Sequence, residues 1–124
     1  MGIFSRLLGR EEAAPPPSAF DCEAVRPHLN NLIDSLGLLA AAMDHDGAPL
    51  SNPGWRGRLR DLRDARGDLR LLTRKAAFDK DDLFEVLSTV RPLFRGDPPK
   101  DFAHLAELNT AVVAGIEAVH LASR

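Results

Sequence analysis

The chain has 124 residues, 44% of them hydrophobic and 27% charged, with a formal net charge of −2. That length suits one domain with a thin but real core, and the composition excludes wholesale disorder. A net negative balance disfavours a dedicated nucleic-acid binder but leaves room for a local cationic patch, and a single cysteine, Cys22, excludes an internal disulfide.

The first ten residues, MGIFSRLLGR, set Ile3, Phe4, Leu7 and Leu8 on one side of an amphipathic turn or two. Such a segment is too short to hold as a helix alone. Arg6 stands where myristoylation needs Ser or Thr, and no secretory leader is visible. The longest uninterrupted apolar run, Leu36 to Met43, falls well below the ~20 residues that span a bilayer. A cytoplasmic protein is the expectation. EEAAPPPS then supplies a semi-rigid, extended spacer. Residues 1–18 are therefore expected to be a tethered amphipathic head and linker, and residues 19–124 a folded domain.

A first long helix is expected over about 21–43. Val25, Leu29, Leu32, Leu36, Leu39 and Met43 recur at alternating spacings of four and three, the rhythm of a bundle seam. Pro27 argues for a proper start there, with a loose turn before it. Gly47, Pro49, Pro53 and Gly54 break the chain, and Asn52-Pro53 opens a second helix as N-cap and first helical residue.

That second helix, expected over 53–77, has three faces. At about 100° per residue, Trp55, Leu59, Leu62, Ala65, Leu69, Leu72 and Ala76 form an apolar stripe. Arg56, Arg60, Arg63, Arg66, Arg70 and Arg74 form one flank, and Asp61, Asp64 and Asp68 another. Asp79 reads as the cap of a third helix over 79–95, with Asp82 in its first turn. Leu83, Val86, Leu87, Val90, Leu93 and Phe94 form its buried face, and Gly96 its stop. Asp97-Pro98-Pro99 precedes a fourth helix reaching about Ser123, with Phe102, Leu105, Leu108, Val112, Val113, Ile116 and Val119 inside. Ala111, Ala114, Ala118 and Ala122, with Gly115, make a small-residue second face suited to close helix contact, including a dimer seam. The fold expected is all-α, an antiparallel, up-down four-helix bundle.

No catalytic constellation is evident, so the expectation is no enzyme, no cofactor and no metal. Glu117 and His120 have the Glu-x-x-His spacing of di-iron bundles, but those sites need two such pairs and two further glutamates. Asp44-His45-Asp46-Gly47 opens like a calcium loop and lacks the later acidic ligands. His28, bordering the first helix's apolar face, is the residue a histidine phosphocarrier would use, but the residues around it do not support that chemistry. Asn109 and His120 both map to the apolar face of the fourth helix and read as a register-fixing polar pair.

The arginine flank is the main functional signal. Guanidinium is planar, permanently charged and bidentate, so the row suits carboxylates or phosphates. Arg60 and Asp64, four residues apart, are placed to neutralise part of it within the helix. The flank lacks the interleaved aromatic residues of nucleic-acid sites, apart from Trp55 at its start. The reading is a helical interaction or regulatory module, self-associating, that shows its Arg edge to an acidic protein surface. Its alternatives are an anion binder for nucleic acid or an anionic membrane through the same edge, and the histidine phosphocarrier. The opposed Arg and Asp edges suit a homodimer.

Overall fold

The computed structural model describes residues 20–45, 48–49 and 51–124. Ile3, Phe4, Leu7 and Leu8 of the head lie outside the described residues, as do Asp46 and Gly47. Among the described residues the protein is all-helical. Its elements are α1 (Cys22–Met43), α2 (Pro53–Arg74), α3 (Lys80–Leu87), a 3-10 segment (Lys100–Leu105) and α4 (Ala106–Ala122).

Helix α1 starts earlier than Pro27 suggests. The Asp21 side chain accepts hydrogen bonds from the backbone N–H of Glu23 at 3.0 Å and Ala24 at 3.4 Å, which stabilises the first turn. Pro27 sits inside the helix and on its exposed side. The carbonyl it leaves without an N–H partner belongs to Glu23, also exposed, where the loss of one intrahelical bond is tolerated. The expected seam residues of α1 are all buried.

Helix α2 opens as expected. Asn52 Oδ1 accepts from Gly54 N at 2.8 Å and Trp55 N at 3.3 Å, and Pro53 is the first helical residue. Trp55, Leu59, Leu62, Ala65, Leu69 and Leu72 are buried, but the helix ends at Arg74 and Ala76 is exposed. Three polar contacts set the direction of α2 against α1. Trp55 Nε1 donates to Met43 O at 3.1 Å, Arg66 Nε to Ile33 O at 3.3 Å, and Arg26 to Thr73 O and, at 3.3 Å, to Ala76 O. The two helices therefore run in opposite directions. Arg26 closes the far end by supplying donors to carbonyls in the last turn of α2 and just beyond it, and its guanidinium lies 5.4 Å from the Phe78 ring centroid.

Helix α3 begins with a reciprocal capping box: Asp82 N donates to Asp79 Oδ1 at 2.8 Å, and Asp79 N to Asp82 Oδ2 at 3.2 Å. It then stops at Leu87, eight residues before the expected end. In a continued helix Pro92 would crowd the carbonyl of Ser88, and the residue before it is biased away from helical backbone. Ser88 and Thr89 hydroxyls also bond back to Glu85 O at 2.6 Å and Val86 O at 2.7 Å. Val90 and Leu93 are buried, but from an irregular segment. Gly96 takes a positive φ of 77°, which turns the chain toward the 3-10 segment.

Helix α1 is the central element, packing along α2 on one side and α4 on the other, while α3 packs on α2. Helix α4 approaches α1 closely at Gly115. A Cβ there would lie 3.1 Å from Leu32 Cδ1 and 3.4 Å from Leu32 Cα. Gly115 thus serves the fold itself. Asn109 is buried as expected, and its partners are backbone: Leu93 N donates to Oδ1 at 2.7 Å and Nδ2 donates to Phe94 O at 3.0 Å. His120 is exposed, beside the Phe84 ring at 6.2 Å, so the expected buried pair reduces to Asn109 alone. The segment 100–122 is long and apolar enough to span a bilayer by length and composition. It nevertheless carries the Asn109 tether, and Val112 and Val119 are fully buried in the core.

Candidate interaction surface on α2

The six arginines of the flank divide into two groups. Arg66 works inside the fold: it is half-buried, donates to Ile33 O, and lies in the notch left by Gly37. A Cβ at Gly37 would come within 2.9 Å of Arg66 Nε, so the glycine makes room for the guanidinium. Arg63 pairs with Asp44 at the end of α1, both side chains about half-exposed. Arg56, Arg60, Arg70 and Arg74 are exposed and form no ion pair with an acid among the described residues.

The acidic edge is equally open. Asp61, Asp64 and Asp68 are exposed, and the pairing of Arg60 with Asp64 expected within the helix is not formed. Between the edges runs a shallow trough of about 630 Å³, lined by Arg63, Asp64, Gly67, Asp68, Arg70, Leu71 and Arg74. Leu71 lies in it 61% exposed. Chemically, such a surface can hold carboxylates in a row through fork-shaped donors, with one apolar anchor at the centre.

Trp55 does not extend this surface. It is 5% exposed, its indole N–H is used by Met43 O, and its ring stacks on Phe102 with centroids 5.2 Å apart and planes 18° apart. The flank therefore presents no aromatic face on which an unpaired base could stack. A seventh arginine of α2, Arg58, stands apart from the flank and lies 5.2 Å from the Phe102 ring centroid. Together with His104, whose ring is nearly parallel to that of Trp55 at 6.3 Å, these residues border a cleft of about 550 Å³. Nothing local in the sequence signals it, because its two walls come from the separate segments 45–58 and 101–104.

The other candidate residues do not converge. His28 is half-buried on α1, and Glu117 and His120 are exposed on α4. Among the described residues no three His, Cys, Asp or Glu side chains are placed to hold one metal ion. Compared with protein-family models, curated proteins and solved structures, the chain shows no significant match.

Proposed function

We propose that this protein is an interaction module whose α2 helix docks on an acidic protein surface through Arg56, Arg60, Arg70 and Arg74. The carrying observation is that these four are exposed and have no acidic partner among the described residues, whereas Arg63 is paired with Asp44 and Arg66 is engaged by Ile33 O. In this reading the helices form an up-down bundle that acts as a rigid support. Residues 1–18 form a tethered second docking element, and the setting is cytoplasmic.

A protein surface is favoured over nucleic acid or an anionic membrane for two reasons. The flank offers no exposed aromatic residue. Asp61, Asp64 and Asp68 share the outer side of α2 and would repel a continuous sheet of phosphates. The test uses the full chain and three probes: a Glu-rich helical peptide, a duplex oligonucleotide and anionic vesicles. Salt-sensitive binding to the peptide, lost in Arg60→Glu/Arg70→Glu, is expected. Preference for the duplex or the vesicles, or indifference of peptide binding to the double change, would contradict the proposal.

A further inference from the structure

The acidic edge of α2 turns toward α3 and the irregular segment after it, and two shallow grooves follow that junction. One, of about 570 Å³, has Asp61, Asp64 and Asp68 on its α2 wall and Ser88, Thr89 and Arg91 opposite. The other, of about 410 Å³, continues from Asp68 to Lys75, with Glu85 and Val86 of α3 on its far wall. Asp68 and Thr89 border both, so the two make one furrow. Its apolar anchors are the exposed Leu71 and the half-buried Val86. Asp61, Asp64, Asp68 and Glu85 outnumber the two cations on its border, Lys75 and Arg91, which stand toward opposite ends. An apolar floor with an acidic margin calls for a cationic, amphipathic occupant.

The chain carries such a segment. In MGIFSRLLGR, Ile3, Phe4, Leu7 and Leu8 share one face at helical spacing, and the only charges are Arg6 and Arg10. Both arginines fall on one flank of that face, four residues apart, as Asp64 and Asp68 are on α2. The position of the tether agrees. The described residues begin at Phe20, whose ring centroid lies 5.9 Å from that of Phe78, just past Lys75 at the end of α2. Residues 11–19 can span up to roughly 28 Å at about 3.1 Å per residue. The furrow from Lys75 back to Asp61 is about 21 Å long, at the helical rise of about 1.5 Å per residue. The segment therefore reaches all of it from its own attachment. A short tether also supplies an effective concentration of about a millimolar, so a contact of a few side chains suffices to hold it.

We infer that residues 3–10 dock in the α2–α3 furrow of their own chain. Ile3, Phe4, Leu7 and Leu8 cover Leu71 and Val86, while Arg6 and Arg10 meet the carboxylates of Asp64 and Asp68. A segment too short to hold as a helix alone gains its support there. Arg70 and Arg74 lie across Leu71, in the trough on the other side of α2, and stay open to a partner. This inference rests on the reading of residues 1–18 as a docking element and names its surface.

The test is paramagnetic relaxation in the NMR spectrum of the full chain. A nitroxide is attached at Ser5→Cys in a Cys22→Ser background, since position 5 falls outside the apolar face of the segment. In low salt the amide signals of residues 64–72 and 85–89 are expected to broaden selectively, and to recover most of their intensity in high salt. Asp64→Lys/Asp68→Lys is expected to abolish the broadening, as is Arg6→Glu/Arg10→Glu, and the four changes together in one chain to restore it. Asp64 and Asp68 are exposed, so their replacement leaves the buried stripe of α2 intact. A mixture of nitroxide-bearing chains and separate isotope-enriched chains is expected to show no broadening. Broadening in that mixture assigns the contact to a second copy and overturns the inference. So does broadening on another surface, indifference to either charge reversal, or no broadening at all. If the segment then binds anionic vesicles through Arg6 and Arg10, it remains a docking element and only its place in the furrow fails.

Discussion

Helices α2 and α4 have opposite relations to water. Helix α2 is densely charged, yet Trp55, Leu59, Leu62, Ala65, Leu69 and Leu72 are all buried along one stripe. Helix α4 is far more apolar, yet only Asn109, Val112 and Val119 are buried, while Ala111, Ala114 and Leu121 are at least partly open to water. The difference teaches that segregation of side chains, rather than their average character, orients a helix on a core. Helix α2 has one way to bury its stripe. Helix α4 has several nearly equivalent ways, and its rotation is chosen by two specific contacts: Asn109 on the 93–94 backbone and Gly115 against Leu32.

Removing the first of those contacts should have the largest effect. Asn109→Ala leaves a buried N–H and a half-buried carbonyl without partners, a loss of about 3 kcal/mol measurable by urea unfolding. A variant within about 0.5 kcal/mol of wild type would show that Asn109 does not orient α4. Next comes the pair of glycines that distinguish the two helices. Gly115→Val forces side-chain volume against Leu32 and should cost about 2 kcal/mol. Gly67→Ala, open on the outer side of α2, should instead stabilise the monomer by about 0.8 kcal/mol. Equal signs for the two would erase the contrast between a glycine used inside and one that is not.

The smallest effect lies at the start of α1. The hydrogen bond from Arg26 holds the Glu23 carboxyl below its ordinary value of 4.5. Because the folded-state value is the lower one, the contribution is complete above about pH 4.5 and fades as pH falls through the depressed value. Glu23 is exposed, so the gain is slight. Glu23→Gln should lower stability slightly across the neutral region and leave it unchanged at low pH, so that the acid limb becomes shallower; a change confined to acid pH would contradict this.

The comparison also explains what the sequence could disclose. The stripe, the Asn52 cap and the start of α2 were legible because they are local and periodic. The length of α3 was not. Val90, Leu93 and Phe94 continue a helical spacing and are at least partly buried, but Pro92 and the Ser88–Thr89 back-bonds end the helix, and Asn109 holds the irregular 93–94 backbone in place. Pro27 misled in the opposite sense, because an exposed first turn tolerates it. The arginine flank was legible as a row, but its division was not. Arg63 and Arg66 are engaged by Asp44 and Ile33 O, partners outside α2 that no spacing within it reveals.

That division among the arginines is the central claim, and side-chain N–H exchange, observed by NMR in the full chain, tests it directly. Arg66 Nε–H should be protected in the free protein, while those of Arg56, Arg60, Arg70 and Arg74 exchange rapidly and become protected in low salt once an acidic partner is bound. Protection of those four in the dilute monomer, or rapid exchange at Arg66, would contradict it.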